Sequence, residues 1–175
     1  KFDHTYTGQN NLGDIIYDNE KIIDVVDVLP SVNLIYGLTD NINVRTSFTK
    51  TLARPSFKEA SIGQIYDPFS DRTYIGNIDL VETQINNFDA RVEYFLTGGQ
   101  MFAVSGFYKQ FSNPIEVVAF SEATPNQFQP RNVGDAEVLG IELEARKNLG
   151  FLSEGLSAFS IGTNVSFIQS KVEMD

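Results

Sequence analysis

The sequence offers few residues that could do chemistry. Glu142 and Glu144 are the nearest thing to a general acid/base pair. On a β-strand they share one face about 6.6 Å apart, two rises of roughly 3.3 Å, which overlaps glycoside-hydrolase geometry. No enclosing cleft accompanies them, so no catalytic residue is expected. Asp14, Asp18 and Glu20 could offer oxygen ligands to calcium but lack the EF-hand spacing. His4 stands alone between Asp3 and Thr5 and reads as a loop residue. With one His and no Cys, thiolate and multi-histidine metal centres are excluded. No metal, cofactor or disulfide is expected. Asn164-Val165-Ser166 matches a glycosylation sequon but falls inside a strand pattern.

The remaining charged residues suggest a different use. Arg45, Arg91, Glu93, Glu142, Glu144 and Arg146 recur on one side of period-two runs. Such a row suits a wet bore or a packed partner domain better than hydrocarbon. Arg54 and Glu59 flank the start of a long loop and are expected to pair. Tyr66, Phe69, Tyr74 and Phe128 are loop aromatics that could line a ligand vestibule or pack the loops together.

The elements that must position these residues are strands. Residues 31–36 and 42–50 alternate around a polar turn at 38–41, with Val32, Leu34, Tyr36, Ile42, Val44 and Phe48 on the apolar side. A second hairpin joins 88–96 to 102–109 through Thr97-Gly98-Gly99-Gln100, with Phe95 breaking the alternation. A third joins 139–146 to 158–167 across a link at roughly 149–155. Five of the six prolines lie between the strand runs. Apart from a possible helical turn at 56–61, no helical period appears.

Composition narrows the class. The chain has 175 residues, 42% hydrophobic and 21% charged, so bulk disorder is excluded. A net charge of -10 argues against a nucleic-acid partner. No run of 18 apolar residues exists, which excludes a transmembrane helix but not a spanning strand. The chain starts at Lys1 without a leader and reads as a piece of something longer.

Connections alternate short and long. Links at 38–41, 97–100 and 149–155 are tight, whereas 1–27, 51–82 and 112–137 are long excursions. Strands of about ten residues, tilted about 45°, cover roughly 23 Å, close to the apolar band of an outer-membrane barrel. Tyr36, Phe48, Tyr94, Tyr108, Phe159 and Phe167 sit near strand ends, as girdle aromatics do. The expectation is an all-β antiparallel transmembrane segment of about six strands. Six cannot enclose a lumen, so they form part of a larger wall. A soluble all-β binding or adhesion module is the alternative, and an outer-membrane enzyme a third reading.

The chain resembles the barrel region of TonB-dependent receptors. The resemblance rests on Leu29-Pro30-Ser31-Val32-Asn33-Leu34, on residues 45–57 (RTSFTKTLARPSF), and on Gly76-Asn77-Ile78-Asp79-Leu80. Phe107-Tyr108-Lys109, Asn113-Pro114-Ile115 and Gly140-Ile141-Glu142-Leu143-Glu144 continue it. Ile78 departs from the family's usual proline. The resemblance implies a 22-stranded outer-membrane barrel in a Gram-negative bacterium, with short periplasmic turns and extracellular loops at 1–27, 51–82 and 112–137. It also implies a plug and TonB box outside this chain, contact with lipid and with the TonB complex, and a possible surface lipoprotein partner. The implied task is receptor-mediated transport of scarce bulky ligands: iron chelates (siderophores), cobalamin, or carbohydrate and peptide. Arg45, Arg91, Glu93, Glu142, Glu144 and Arg146 would face the lumen or plug. Arg54, Tyr66, Tyr74 and Phe128 would border the ligand.

Overall fold

A computed structural model describes residues 1–9 and 13–174. Twelve strands form three sheets. The largest holds six strands: β3 (Ser31–Thr39), β4 (Ile42–Ala53), β7 (Thr83–Phe95), β8 (Met101–Ser112), β11 (Ala136–Asn148) and β12 (Ser160–Val172). Their order is β12-β11-β8-β7-β4-β3, and every pairing is antiparallel. Each sequence neighbour is therefore a spatial neighbour, an open meander with two free edges. The three expected hairpins are present, and the long segments bridge β4 to β7 and β8 to β11.

The strands form because alternation is maintained through them. Strands of 12 or 13 residues span about 40 Å, or roughly 30 Å at a tilt of 45°. The turns carry the required chemistry. Gly98 and Gly99 adopt φ of 70° and 74°, a region open to glycine, between β7 and β8. Phe95, which broke the apolar row, lies on the other face opposite Met101. The β11–β12 link extends from Leu149 to Phe159, longer than the expected 149–155. Asn148 holds it, accepting from the Gly150 amide at 2.8 Å and donating to the Ser157 carbonyl at 2.7 Å.

The long segments contain structure that periodicity did not reveal. Strands β1 (Phe2–Gln9) and β2 (Ile15–Val25) pair as a two-stranded hairpin inside 1–27. His4 is thus a strand residue, not a loop residue. It is buried against Ile23 and meets the Phe57 ring edge-on at 4.9 Å. Four short strands, β5 (Gln64–Asp67), β6 (Arg72–Ile75), β9 (Ile115–Ser121) and β10 (Thr124–Asn132), form a third sheet. It merges both remaining long segments, because β6 and β10 pair in parallel. The possible helical turn at 56–61 is a single turn, closed by the Ala60 amide on the Ser56 carbonyl at 2.9 Å.

Candidate functional site

The two faces of the six-stranded sheet differ in chemistry, and the register places like residues side by side. On one face three cross-strand rows line up: Tyr36-Val44-Val92-Val104-Leu143-Val165, Leu34-Thr46-Ala90-Gly106-Ile141-Phe167, and Val32-Phe48-Phe88-Tyr108-Leu139, the last ending on the polar Gln169 of β12. Most of these side chains are exposed to solvent. A continuous apolar face of this size needs an apolar partner phase. The third row is aromatic at its centre, with ring centroids 5.0 Å apart for Phe48–Phe88 and 6.3 Å for Phe88–Tyr108. The next row toward the long segments turns polar at once: Lys50, Asn86, Gln110, Glu137 and Lys171. The Tyr108 hydroxyl bridges that boundary, donating to Glu137 at 3.2 Å.

On the opposite face lie the six charged residues read from the sequence. Register sets Arg45 directly against Arg91, a repulsive pairing. Glu93 resolves it. Arg45 Nε donates to one carboxylate oxygen at 2.8 Å and Arg91 Nε to the other at 2.9 Å. Arg91 also spans β8, donating to Ser105 Oγ at 3.0 Å and to Glu144 Oε2 at 2.6 Å. The small side chains of Ala103 and Ser105 leave room for this bridge, and Ala103 is completely covered. Glu93 is only 7% exposed, yet both of its oxygens are satisfied. Glu142 stays outside the network and, among the described residues, accepts from Ser166 Oγ at 3.4 Å. Arg146 is exposed and joins no ion pair among the described residues. The two glutamates of the supposed acid pair therefore serve different partners. On the same face, Phe107 lies across Gly140, where a Cβ would collide with its ring.

The rim above the sheet is a third region. Arg54 does not pair with Glu59. Its Nη2 donates to Asp27 Oδ2 at 2.7 Å, its Nε lies 3.6 Å from Glu82 Oε2, and its guanidinium stacks 4.4 Å over the Phe2 ring. Glu59 has a closer partner, accepting from the Ser56 amide and hydroxyl at 2.7 and 2.8 Å. That is a capping box on a one-turn helix, a Ser-x-x-Glu signal present in the sequence. Nothing local in the sequence marks Asp27 and Glu82 as partners of Arg54. Glu82 sits above its ordinary pKa because it is buried and faces Asp27, while Asp27 is held below its own by its bonds to Glu82 and Arg54.

The vestibule candidates separate. Tyr74 and Phe128 are neighbours across the parallel strands, each beneath a cation, Lys58 at 4.2 Å and Arg72 at 5.0 Å. Tyr66 points to the opposite face of that sheet and donates to Asp71 at 3.0 Å. Phe69 is fully exposed. Two asparagines lock the long segments together. Asn132 exchanges bonds with the Val81 backbone at 2.8 and 3.0 Å and donates to Asn113 at 2.8 Å, while Asn77 donates to Pro130 at 3.1 Å. Among the described residues no group of three or more His, Asp or Glu could hold a metal.

Solved structures share this architecture. The siderophore receptor PirA from Pseudomonas aeruginosa aligns with a TM-score of 0.64 at 19% identity, covering 82% of this chain and 25% of that one. The ferric enterobactin receptor PfeA from the same organism, in complex with BCV-L6, aligns with 0.63 at 18%, covering 81% and 22%. This chain thus spans about a quarter or less of those proteins. No curated protein sequence matches it. The sequence matches the family described as TonB dependent receptor-like, beta-barrel, over residues 2–173. With that match spanning nearly every residue, the chain belongs to the TonB-dependent receptor β-barrel family.

Proposed function

We propose that this chain is a stretch of wall in a TonB-dependent transporter of a Gram-negative outer membrane. Its apolar face meets lipid, and its charged face lines the bore and packs against a plug domain. The links at 38–41, 97–100 and 149–159 face the periplasm, and the segments 1–27, 51–82 and 112–137 face outward. The family consists of transporters rather than enzymes, and the wall carries out no covalent step. Energy arrives through the TonB complex acting on the plug, and a surface lipoprotein is a further partner. The observation that carries this reading is the register, which gathers apolar residues on one face and the Arg45–Glu93–Arg91–Glu144 network on the other. A soluble module would leave that apolar face in water.

The outward segments also suggest the ligand's charge. They hold six basic and fifteen acidic side chains, nearly all of the chain's net -10. Each cation is engaged: Lys1 and Lys21 with Asp3 and Asp24, Arg54 with Asp27, Lys58 and Arg72 on rings, Arg131 on Gln129 and the Phe120 carbonyl. Asp18, Glu20, Asp79, Glu116, Glu122 and Asp135 are exposed and have no cationic partner among the described residues. A field of that sign repels polyanions, steers cationic ligands inward and leaves neutral ones unopposed. Candidates are an iron chelate of such charge, cobalamin, a glycan or a peptide, bordered by Arg54, Tyr66, Tyr74 and Phe128.

Spin labels in the intact parent protein test the wall. Labels at Val44, Val92 and Ile141 should collide with oxygen dissolved in hydrocarbon. Labels at Asn43, Gly162 and Ser166 should collide with a water-soluble nickel chelate. Equal water exposure at both sets would end the membrane reading.

A further inference from the structure

The rim cluster contains an arrangement that neither wall nor mouth explains. Glu82 is 8% exposed, and its Oε2 has no hydrogen-bond partner. Glu82 shares Arg54 with the carboxyl of Asp27: Arg54 Nη2 donates to Asp27 Oδ2 at 2.7 Å, and Arg54 Nε lies 3.6 Å from Glu82 Oε2. Two carboxylates on one guanidinium set two negative charges against one positive, and the buried Glu82 Oε2 is left without a hydrogen bond, which is costly. One proton between them removes the conflict, as in other carboxylate pairs. The three chain segments involved are the exit of β2, the end of β4 and the start of β7. They meet at the edge where β4 and β7 leave the six-stranded sheet, and Phe2 of the β1–β2 hairpin rests on Arg54 in the same cluster.

We propose that Asp27 and Glu82 share one proton and, with Arg54, form an acid-dependent clamp that fastens the β1–β2 hairpin to the barrel rim. Arg54 holds Asp27 as the carboxylate of the pair, and Glu82 is the protonated partner that donates to it. The charges facing the pair are Arg54, just past the end of β4, and Lys50 within β4. Arg54 and Lys50 favour ionised Glu82, whereas burial and Asp27 oppose it more strongly.

The two limbs follow from the two directions. Glu82 is raised, so its contribution is complete at low pH and is lost as pH rises through its folded value. Asp27 is lowered, so its bond to Arg54 persists above its unfolded value and is lost as pH falls through its depressed one. The clamp is tightest between these limits. One proton released on opening changes the closed-to-open ratio about tenfold per pH unit on the alkaline limb.

This inference rests on the wall reading, and the experiment separates the two. A spin label at Thr5 in the intact parent protein reports hairpin mobility from pH 3 to 9, with a second label at Val92 reporting the wall. Wild type should be immobile in the middle of that range, mobile above it, and loosened again at the acid end as Asp27 takes up its proton. Glu82→Gln, which keeps a donor at every pH, should abolish the alkaline transition and stay docked. Asp27→Asn should abolish the acid limb. A transition in Glu82→Gln at the wild-type pH, or a Thr5 label insensitive to pH, would overturn the clamp. A Val92 label in water would instead overturn the wall.

Discussion

The wall and the loop layer are held together by different means. In the six-stranded sheet, order comes from backbone ladders between sequence neighbours, and the side chains sort by face. Every strand from β3 to β12 in that sheet pairs with the next one along the chain. In the loop layer, two small sheets are tied to one another and to the rim by single side chains that reach across 19 to 53 residues. Asn132 ties Val81 to Asn113, Asn77 holds Pro130, and Arg54 gathers Asp27 and Glu82. The wall gains redundancy from its ladder. The loop layer concentrates its stability in a few polar groups, so it can be loosened without unfolding the sheet. Under the proposed transport role, this division sets a ladder-built bore beneath a mouth held by a few polar groups.

Four substitutions sharpen that comparison. Val92→Arg places a charge near the middle of the apolar face and should cost about 2–4 kcal/mol, read as lost folding into bilayers by the intact protein. Glu93→Ala removes the bridge between Arg45 and Arg91 and should cost about 1–3 kcal/mol, seen in a urea titration, with Glu93→Gln restoring part. If Glu93→Ala is neutral, the inner network merely decorates the ladder. Asn132→Ala breaks three bonds in the loop layer and should cost about 1–2 kcal/mol locally. Hydrogen exchange at the Val81 amide should accelerate while the Val92 amide keeps its protection; loss of both together would show that the two regions are one cooperative unit. Ser56→Ala removes a capping box and should cost about 1 kcal/mol, detected as faster exchange at the amides of Glu59 and Ala60 alone.

Period two made the wall legible. Residues such as Val44, Val92 and Ile141 announced their face because alternation is a local property that a strand cannot violate without slipping. The inward placement of Arg45, Arg91, Glu93 and Glu144 followed from the same period, but their bonding pattern did not. Arg91 reaches Glu144 only because register brings β11 beside β8 and leaves small residues between them. The loop layer was less legible. The strands β5, β6, β9 and β10 are four to nine residues long, too short and too mixed for alternation to stand out, and the β6–β10 pairing joins segments fifty residues apart. His4 looked solitary because its partners, Ile23 and Phe57, are distant in sequence.

The residues alone determined that this chain would form antiparallel strands with one greasy and one charged side, because side-chain alternation is built into extended backbone. Tertiary structure alone decided that Arg54 would bind Asp27 and Glu82 rather than Glu59. Glu59 was already satisfied three residues from Ser56, and only the convergence of β2, β4 and β7 at the rim put the other two carboxyls within reach. Short-range pattern records which way a residue points, whereas its partner depends on where the rest of the chain returns.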